Sequence, residues 1–534
     1  MYGANLAGLL DGPARWAPER PAVLLGERPV RTWAALSEAV ARRAGGLRER
    51  HGIGPGDAVA IFASNHPAYL ELLFSIWHAG GVAVPISSRL HPREAADVVE
   101  RGHARVCFAT EDTVAGLEGA LREAAEEGAF AANGTAAATG APPLVVLGSP
   151  EDAALEAAEP VTPVARRFTD DAWTFFTSGT TGKPKGARLS HGNLFAMSSA
   201  YLADSDAVGP RDSMIHVAAF SHASGLMSLP FLCRGAAQVL PPSLGFDAGE
   251  LLGLLAAGER SSFFVPPTLL RRLAAHPGAG ELAEGRIGTI LVGAAPVLPV
   301  DLRDGVAAFG PVLWNGYGQG ESPCTITANG KQAIGDAVAD GDDACLRSVG
   351  VARVGLTVRA LDAEGNEVAP GEVGEVCADG PTVMGGYLDM PEASAETLRG
   401  GWLHTGDLGF FDERGRLTLV DRAKDVIITG GYNVYPREVE DVLDLDPAVA
   451  EVAVVGAADP EWGERIVAFV VPAAGAALDE TALDRRCLEA IARHKRPKEY
   501  RAVAELPRNA AGKVLKKELR RQAEAGGEDE RAAG

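Results

Sequence analysis

The sequence predicts an α/β protein whose strands form parallel sheets. Short apolar runs rich in β-branched residues alternate with helical patterns. They follow the order strand 58–63, helix 65–81, strand 82–86, helix 91–102 and strand 104–110. This order is typical of parallel strands, because the connection between them has to cross the sheet as a helix. Pro92, in the first turn, and Glu94 mark the start of the second helix.

The alternation continues in a second block and then changes. Apolar runs recur over 171–326, which extends the α/β part of the chain. From Arg347 onward, short β-like runs are separated by Gly and Asp, a pattern that predicts a smaller antiparallel or barrel-like unit. The pattern changes once more after residue 421, so we predict two domains, 1–421 and 422–534.

Composition and charge narrow the class of protein. The chain has 534 residues, enough for two to four domains at roughly 150 residues each. Its net charge of −21 disfavours nucleic acid as a partner. Hydrophobic residues at 46% and charged residues at 23% predict a folded core. Residues 117–160, rich in Ala, Gly and Glu, are predicted to be a mobile surface insertion.

Cysteine spacing and hydropathy predict a cytoplasmic protein. The six cysteines lie far apart, without a C-x-x-C pair, so we expect neither a disulfide scaffold nor a zinc site. The first residues lack the basic and apolar segments of a signal peptide. The longest apolar stretch, 72–86, is interrupted by His78 and is too short for a membrane span.

The most informative segment follows an apolar run that ends in Phe175-Phe176. It reads Thr177-Ser178-Gly179-Thr180-Thr181-Gly182-Lys183-Pro184-Lys185-Gly186. Glycines let backbone N–H groups approach a phosphate, hydroxyls donate hydrogen bonds, and lysines supply positive charge. The segment is not a Walker A loop, because no G-x-x-x-x-G-K-[ST] aligns with it. It therefore predicts a polyphosphate site of another kind.

The string TSGTTGKPKGA resembles the phosphate loop of the adenylate-forming superfamily, which contains acyl-CoA synthetases, adenylation domains and firefly luciferase. Further motifs similar to the family follow in the same order along nearly the whole chain: AAFSHASGL, LVGAAP, NGYGQGES, GWLHTGD, VDRAKDVIITGGYNVYP and PRNAAGKVLKKEL. The resemblance implies a large N-terminal domain of parallel-sheet α/β subdomains plus a β-barrel. It also implies a small, mobile α+β C-terminal domain.

The resemblance implies an active site as well. Lys513 matches the catalytic lysine that reaches the α-phosphate, and His222 matches a gate beside the acid pocket. Glu321 and Thr177 match ligands of Mg²⁺, a cation that keeps several waters and needs few protein oxygens. Asp407 matches the carboxylate that accepts both ribose hydroxyls. The other residues implied to bind ATP or coenzyme A are Ser178, Gly179, Thr180, Thr181, Gly182, Lys183, Lys185, Gly293, Ala294, Ala295, Asn315, Tyr317, Gly318, Gly320, Arg422, Lys424, Gly430 and Gly431.

Some of these residues have more specific implied roles. Tyr317 packs on adenine, with 293–295 as the opposite wall, and Arg422 touches the ribose. Lys424 is the hinge of the C-terminal domain, and 430–431 line the tunnel for the pantetheine arm.

The chain departs from the family pattern in the substrate region. Gly320 stands where the family has a threonine that holds the α-phosphate, and Ser322 is a candidate substitute. Small residues at Ala223, Ser224 and Gly225 suggest room for a ring or a long tail. Segment 218–230 contains no Asp to pair with an α-ammonium, so an α-amino acid is not expected as the substrate.

These observations predict an ATP- and Mg²⁺-dependent acid:CoA ligase with a small-molecule acid as its substrate. Two other enzymatic readings stay open, namely adenylation of nitrite for diazotisation of an aromatic amine and transfer of the acyl group to a separate carrier protein. A nucleotide-binding protein without catalysis is disfavoured by the presence of Lys513, Glu321 and Asp407. The sequence does not decide the identity of the acid or whether the chain forms a homodimer.

Overall fold

The computed structural model describes residues 3–132, 140–177, 184–430, 432–460, 462–509 and 514–532. The chain divides into two compact units. The first comprises Met1–Val358 and Ala378–His404, and the second comprises Arg359–Cys377 and Thr405–Gly534. The domain boundary expected after residue 421 stays a prediction.

The first unit is built on two sheets. Its strands are β1 (Pro21–Leu25), β2 (Arg28–Thr32), β3 (Ala58–Ala63), β4 (Val82–Ser87), β5 (Ala104–Ala109), β6 (Leu144–Val146), β7 (Asp171–Thr177), β8 (Lys185–Ser190), β9 (Asp212–Ile215), β10 (Ala237–Leu240), β11 (Arg260–Val265), β12 (Ile287–Val292), β13 (Leu313–Gln319), β14 (Ser322–Asn329) and β15 (Val351–Ala352). One sheet has nine strands in the order β15-β14-β13-β12-β11-β9-β10-β1-β2. The other has six, in the order β6-β5-β3-β4-β7-β8.

Both sheets have parallel interiors and an antiparallel strand at an edge. The strands β9 to β13 pair in parallel, as do β3 to β7 in the second sheet. At the edges, β14 runs antiparallel to β13, and β8 runs antiparallel to β7. The expected strands at 58–63, 82–86 and 104–110 are all present, so the predicted parallel α/β fold is confirmed. Parallel strands with both faces covered explain why these runs are almost entirely apolar.

Helices connect and cover the strands of the first unit. They are α1 (Asp11–Trp16), α2 (Trp33–His51), α3 (Tyr69–His78), α4 (Pro92–Arg101), α5 (Glu111–Glu126), α6 (Pro150–Glu156), α7 (His191–Asp204), α8 (Ala223–Leu232), α9 (Ala248–Ala257), α10 (Pro267–Ala274), α11 (Pro299–Phe309), α12 (Lys331–Asp340), α13 (Asp343–Arg347) and α14 (Pro391–Thr397). The start predicted for α4 is confirmed, because Glu94 Oε2 accepts a hydrogen bond from the N–H of His91 and His91 Nδ1 accepts one from the N–H of Arg93.

The stretch 117–160 is more than a surface insertion. It contributes the edge strand β6, paired in parallel with β5, and the helix α6. Asp152 of α6 forms an ion pair with Arg43, whose side chain is 0% exposed. Glu71 and Glu156 also bind this guanidinium, at 3.0 and 2.5 Å. The expectation of a mobile insertion is therefore wrong for 140–156, because this part of the chain supplies carboxylates to a buried cation.

The second unit contains a four-stranded and a five-stranded sheet. Its elements are β16 (Thr357–Leu361), β17 (Gly374–Asp379), β18 (Leu403–Phe411), β19 (Leu417–Arg422), β20 (Ile427–Thr429), β21 (Tyr432–Val434), β22 (Val449–Asp459), β23 (Gly463–Pro472), β24 (Glu499–Ala502), α15 (Pro436–Leu443), α16 (Glu480–Ala490) and α17 (Lys516–Ala532). The four-stranded sheet has the order β16-β17-β18-β19, and the stretch predicted to be antiparallel or barrel-like forms this sheet. In the other sheet, β23 pairs with β20, β22 and β24.

Within the described ranges, no helix combines the length and the apolar character that crossing a bilayer requires.

Candidate active site

Two hairpins of the first unit bring together residues that are far apart in the sequence. In the first hairpin, Thr177 ends β7 and lies directly opposite Lys185, which begins β8. In the second, β13 and β14 are joined by the two-residue turn Gly320-Glu321, with Gln319 opposite Ser322. Thr177 Oγ1 lies 3.4 Å from Glu321 Oε1, so the end of one hairpin faces the turn of the other. The residues Ser178 to Lys183 lie outside the described residues.

Tyr387 holds the carboxylate of Glu321. Its hydroxyl donates a hydrogen bond of 2.7 Å to Glu321 Oε1. Burial and the nearby carboxylate raise the pKa of Tyr387, so the hydroxyl keeps the proton that it donates. The Lys185 ammonium lies over the same ring, 5.0 Å from its centroid. One tyrosine thus contacts both a candidate metal ligand and a candidate phosphate-binding lysine.

The backbone around Tyr387 fixes its place. Ala187 of β8 pairs with Tyr387 in an antiparallel bridge. Nearby, Leu388 N donates to Gly186 O at 2.8 Å. Met384 N donates to Glu321 O at 2.8 Å, which ties the same segment to the Gly320-Glu321 turn. The segment 384–388 therefore connects the two hairpins.

The residues at this meeting point suit Mg²⁺. A carboxylate and a hydroxyl are hard oxygen ligands, and Mg²⁺ takes few protein oxygens beside substrate phosphates and water. Glu321 is 9% exposed, so its carboxylate is largely removed from bulk water. The donor set of Glu321 and Thr177 thus fits the metal that the sequence implies.

The carboxyl ends of β12 and β13 lie side by side near this turn. A Cβ on Gly293 would lie 2.9 Å from the carbonyl oxygen of Gly316, so only glycine permits this approach. Ala294 follows with a φ of +66°, a strained value for a residue with a side chain. Asn315 and Tyr317 are buried in β13, at 4% and 8% exposure. Ala294 and Ala295 are exposed, and Gly318 is half-buried.

His222 precedes α8 and packs against an aromatic ring. Its Nδ1 lies 2.9 Å from Ser221 Oγ. Its ring lies 5.5 Å from that of Phe175 at an interplanar angle of 86°. Burial lowers the pKa of His222, and the positive charge of Arg89 lowers it further, so the imidazole is neutral at pH 7.

In the second unit, an ion pair joins two of the predicted site residues. Asp407 and Arg422 lie opposite each other in the antiparallel pair β18–β19. Arg422 Nε lies 3.0 Å from Asp407 Oδ1. Lys424 follows in a short 3₁₀ helix, and burial lowers the pKa of its ammonium.

Of the two glycines predicted to line the tunnel for the pantetheine arm, the structure describes Gly430. Gly430 has a φ of +58°, and its N–H donates to Trp462 O at 2.8 Å. A Cβ there would lie 2.8 Å from the Trp462 ring, so glycine fits both the backbone and the contact. Gly431 and Lys513 lie outside the described residues.

Two expectations about the substrate region are wrong. Ser322 is 0% exposed, and its hydroxyl is bonded to Thr382 Oγ1 at 2.8 Å, so it does not replace the missing threonine hydroxyl. Ser224 is buried and bonded to His216 Nδ1 at 2.8 Å. A Cβ on Gly225 would lie 1.9 Å from Phe220 O. Ser224 and Gly225 therefore serve close packing within the protein rather than room for a substrate, whereas for the half-buried Ala223 the expectation stays a prediction.

Sequence reasoning missed two residues of this region, Tyr387 and Phe175. Tyr387 is 66 residues away from Glu321, and no local pattern connects the two. For Phe175 a signal existed: alternate residues of a strand share a face, so Phe175 lies on the side of β7 that carries Thr177. Phe176 lies on the other face and packs against Gly186.

Comparisons with known proteins agree with this architecture. The family model "AMP-binding enzyme" matches residues 11–388, and "AMP-binding enzyme C-terminal domain" matches 438–513. A feruloyl-CoA synthase from Amycolatopsis sp is 36% identical over 510 residues, 95% of this chain and 97% of that protein. The medium/long-chain-fatty-acid–CoA ligase FadD8 of Mycobacterium tuberculosis is 37% identical over 353 residues, 65% of this chain and 60% of that protein. The crystal structure of ATP-bound MatB from Rhodopseudomonas palustris superposes with a TM-score of 0.85 at 30% identity, covering 97% of this chain and 99% of that one.

Proposed function

The chain belongs to the AMP-binding enzyme family and is an ATP-dependent acid:CoA ligase, and from this premise we propose how its own residues carry the reaction. A carboxylate oxygen of the acid attacks the α-phosphorus of ATP. The bond to the bridging oxygen breaks, and pyrophosphate leaves with the electron pair. The thiol of coenzyme A then attacks the carbonyl carbon of the acyl-AMP, so that a thioester forms, AMP leaves and the thiol proton is released.

The observation that carries the proposal is the meeting of Thr177, Lys185 and Glu321 at the ends of two hairpins. Negative charge accumulates on phosphate oxygens during the attack, and fixed cations and donors lower the barrier most when they are already in place. Lys185 supplies a positive charge, while Tyr387 orients the Glu321 carboxylate by its hydrogen bond of 2.7 Å. When Mg²⁺ is bound, it neutralises phosphate charge, and Glu321 and Thr177 are the residues that would hold it.

Residues of the second unit take the remaining roles in the proposal. Asp407 accepts hydrogen bonds from the ribose hydroxyls, and Arg422 both fixes that carboxylate and contacts the ribose. The proposal assigns the α-phosphate to Lys513 and the hinge to Lys424. It assigns the pantetheine arm to Gly430 and Gly431. These roles are supported by the family motifs that contain the residues.

The two half-reactions provide the test. Lys513→Ala should abolish acid-dependent pyrophosphate exchange yet spare thioester formation from supplied acyl-AMP. Gly431→Trp should do the reverse, because an indole would block the thin pantetheine arm. Lys517→Ala is the matched control, since Lys517 is an exposed lysine of the following helix and should leave both rates unchanged. Equal losses in both half-reactions for Lys513→Ala would show that this lysine has another role.

The identity of the acid and of the acceptor requires a substrate panel. Pyrophosphate release should depend on a carboxylic acid from a set of fatty, aryl, cinnamic and short acids, with nitrite included. Mass spectrometry should find the thioester only when coenzyme A is present. Release that depends on nitrite alone, or acyl transfer to a carrier protein but not to coenzyme A, would contradict the proposal.

A further inference from the structure

Position 320 is a glycine for reasons of packing. Gly320 lies in the β13–β14 turn, but it is not one of the glycines with a positive φ, so its backbone would accept a side chain. A Cβ there would lie 2.6 Å from Thr177 Cγ2 and 2.7 Å from Phe175 Cδ1. Two side chains of β7 therefore occupy the space that any other residue at 320 would need.

The ring of Phe175 extends from this turn to His222. One edge of the ring lies against Gly320, and the ring meets the His222 imidazole at 86° with centroids 5.5 Å apart. Phe175 is only half-buried, so part of its surface is available for contact. Because Glu321 follows Gly320 directly, this exposed aromatic surface lies beside the group that we assign to the reaction centre.

We propose that Phe175 is a specificity-determining residue that selects flat aryl or arylalkenoic acids, and that Gly320 is the glycine that makes room for it. The inference rests on the proposed function, since it takes the acid to be activated next to Glu321. Perpendicular aromatic rings such as Phe175 and His222 present edges and faces that attract a further ring. A flexible alkyl chain on the same surface of Phe175 and His222 is stabilised only by the burial of its apolar area.

Three variants test the pairing and the selectivity. Phe175→Leu should lower kcat/KM for trans-cinnamate about tenfold more than for octanoate, because only the aryl acid loses an aromatic contact. Gly320→Ala should lower the rate of pyrophosphate exchange with the best acid about tenfold or more, because the methyl group collides with Phe175 and Thr177. In the double variant Phe175→Leu/Gly320→Ala, the smaller side chain should allow recovery of part of the rate that Gly320→Ala loses.

The neighbouring phenylalanine provides the matched control. Phe176→Leu changes the same side-chain type on the opposite face of β7, so it should alter stability without altering the ratio of the two acids. The free energy of unfolding, measured for the two single variants and the double variant, gives a readout of the pairing that needs no substrate. It should show destabilisation by Gly320→Ala that is smaller when Phe175 is already Leu.

The outcomes separate this inference from the proposed function. Equal losses for cinnamate and octanoate in Phe175→Leu would overturn the selectivity, even with full ligase activity in the wild type. Additive effects of the two substitutions on unfolding would overturn the pairing. If no carboxylic acid supports pyrophosphate exchange in the wild type, the proposed function fails, while the unfolding measurements still decide whether Gly320 accommodates Phe175.

Discussion

The Gly320-Glu321 turn of the first unit and the β18–β19 pair of the second both position a carboxylate, but they do so by different forces. Glu321 is 9% exposed and is held by a neutral tyrosine hydroxyl. The glycine before it is enclosed by Phe175 and Thr177. Within the described part of the unit, the turn therefore depends on shape and on hydrogen bonds from neutral donors, namely Tyr387, Thr177 and the backbone of Met384.

Asp407 is held by a charge. Its partner Arg422 is 36% exposed, and the two side chains meet at 3.0 Å across neighbouring strands. The Asp407 side chain is only 10% exposed, so loss of the positive charge at position 422 would leave this carboxylate largely buried without that opposite charge, which costs more than a change of volume at the exposed Arg422. The comparison teaches that the position of the Glu321 carboxylate should respond to changes of size around it, whereas the position of the Asp407 carboxylate should respond to changes of charge.

The largest effect is expected from Glu321→Gln. The amide keeps the size of the side chain but loses the charge that a cation requires, so kcat for pyrophosphate exchange should fall about 10²- to 10³-fold. Glu284→Gln, at an exposed carboxylate of the same unit, serves as the control. A fall of less than threefold would remove Glu321 from the reaction centre.

Asp407→Ala should mainly weaken ATP binding. Each charge-assisted bond from a ribose hydroxyl contributes about 1.5–3 kcal/mol, so even the net loss of one of the two bonds should raise the KM for ATP about 10- to 100-fold. The exposed Asp379 offers a control, and Asp379→Ala should leave this KM unchanged. An unchanged KM for ATP in a folded Asp407→Ala variant would show that the carboxylate does not bind the ribose and has a structural role beside Arg422.

Tyr387→Phe tests the hydrogen bond alone. It removes one donor to Glu321 without changing the packing, so kcat should fall about tenfold while the KM for the acid stays constant. More Mg²⁺ should also be needed for the half-maximal rate, an effect that loss of stability alone would not produce. The control is Tyr69→Phe, because the buried Tyr69 hydroxyl has no hydrogen-bond partner within the described ranges. A normal Mg²⁺ requirement in Tyr387→Phe would contradict the positioning role.

The smallest effect concerns pH and the buried histidines of the first unit. Burial lowers the pKa of His216 to about 4, and its ring bonds to Ser224 and Gln238 at 2.8 and 2.9 Å. In the unfolded chain, the His216 imidazole has a pKa of about 6.5, so it binds a proton below that pH while the folded protein keeps it neutral. The free energy of unfolding therefore falls as the pH drops from 6.5 towards 4.

Hydrogen exchange of the β9 and β10 amides measures this loss. Between pH 7 and pH 5.5, the wild type should lose about tenfold more protection than His216→Gln, after correction for intrinsic exchange. Amides of β22 and β23 in the second unit provide the comparison and should not differ between the two proteins. Equal losses in the wild type and the variant would show that His216 is protonated in the folded state.

The sequence predicted the strands and helices that depend on a local pattern of apolar residues. The runs at 58–63 and 104–110 alternate with helices, and the structure has β3 and β5 there. At 140–156, the composition rich in small residues gave no indication of the edge strand β6. Nor did it indicate the contact between Asp152 and Arg43, which are 109 residues apart. The bond from Tyr387 to Glu321 spans 66 residues, and sequence spacing carries no information about such contacts. The site residues that matched family motifs are placed by their motifs, and their roles stay predictions.

The buried Arg43 guanidinium has a consequence for the order in which the chain folds during synthesis. Its partner Glu71 follows within 28 residues, but Asp152 and Glu156 follow 109 and 113 residues after Arg43. A ribosome that adds about 5–20 residues per second needs roughly ten seconds to make that interval. Until α6 leaves the exit tunnel, Arg43 of α2 has only the Glu71 carboxylate of this set as a partner, and burying the guanidinium with a single carboxylate costs free energy. The set of ion pairs around Arg43 is therefore complete only after α6 has been synthesised.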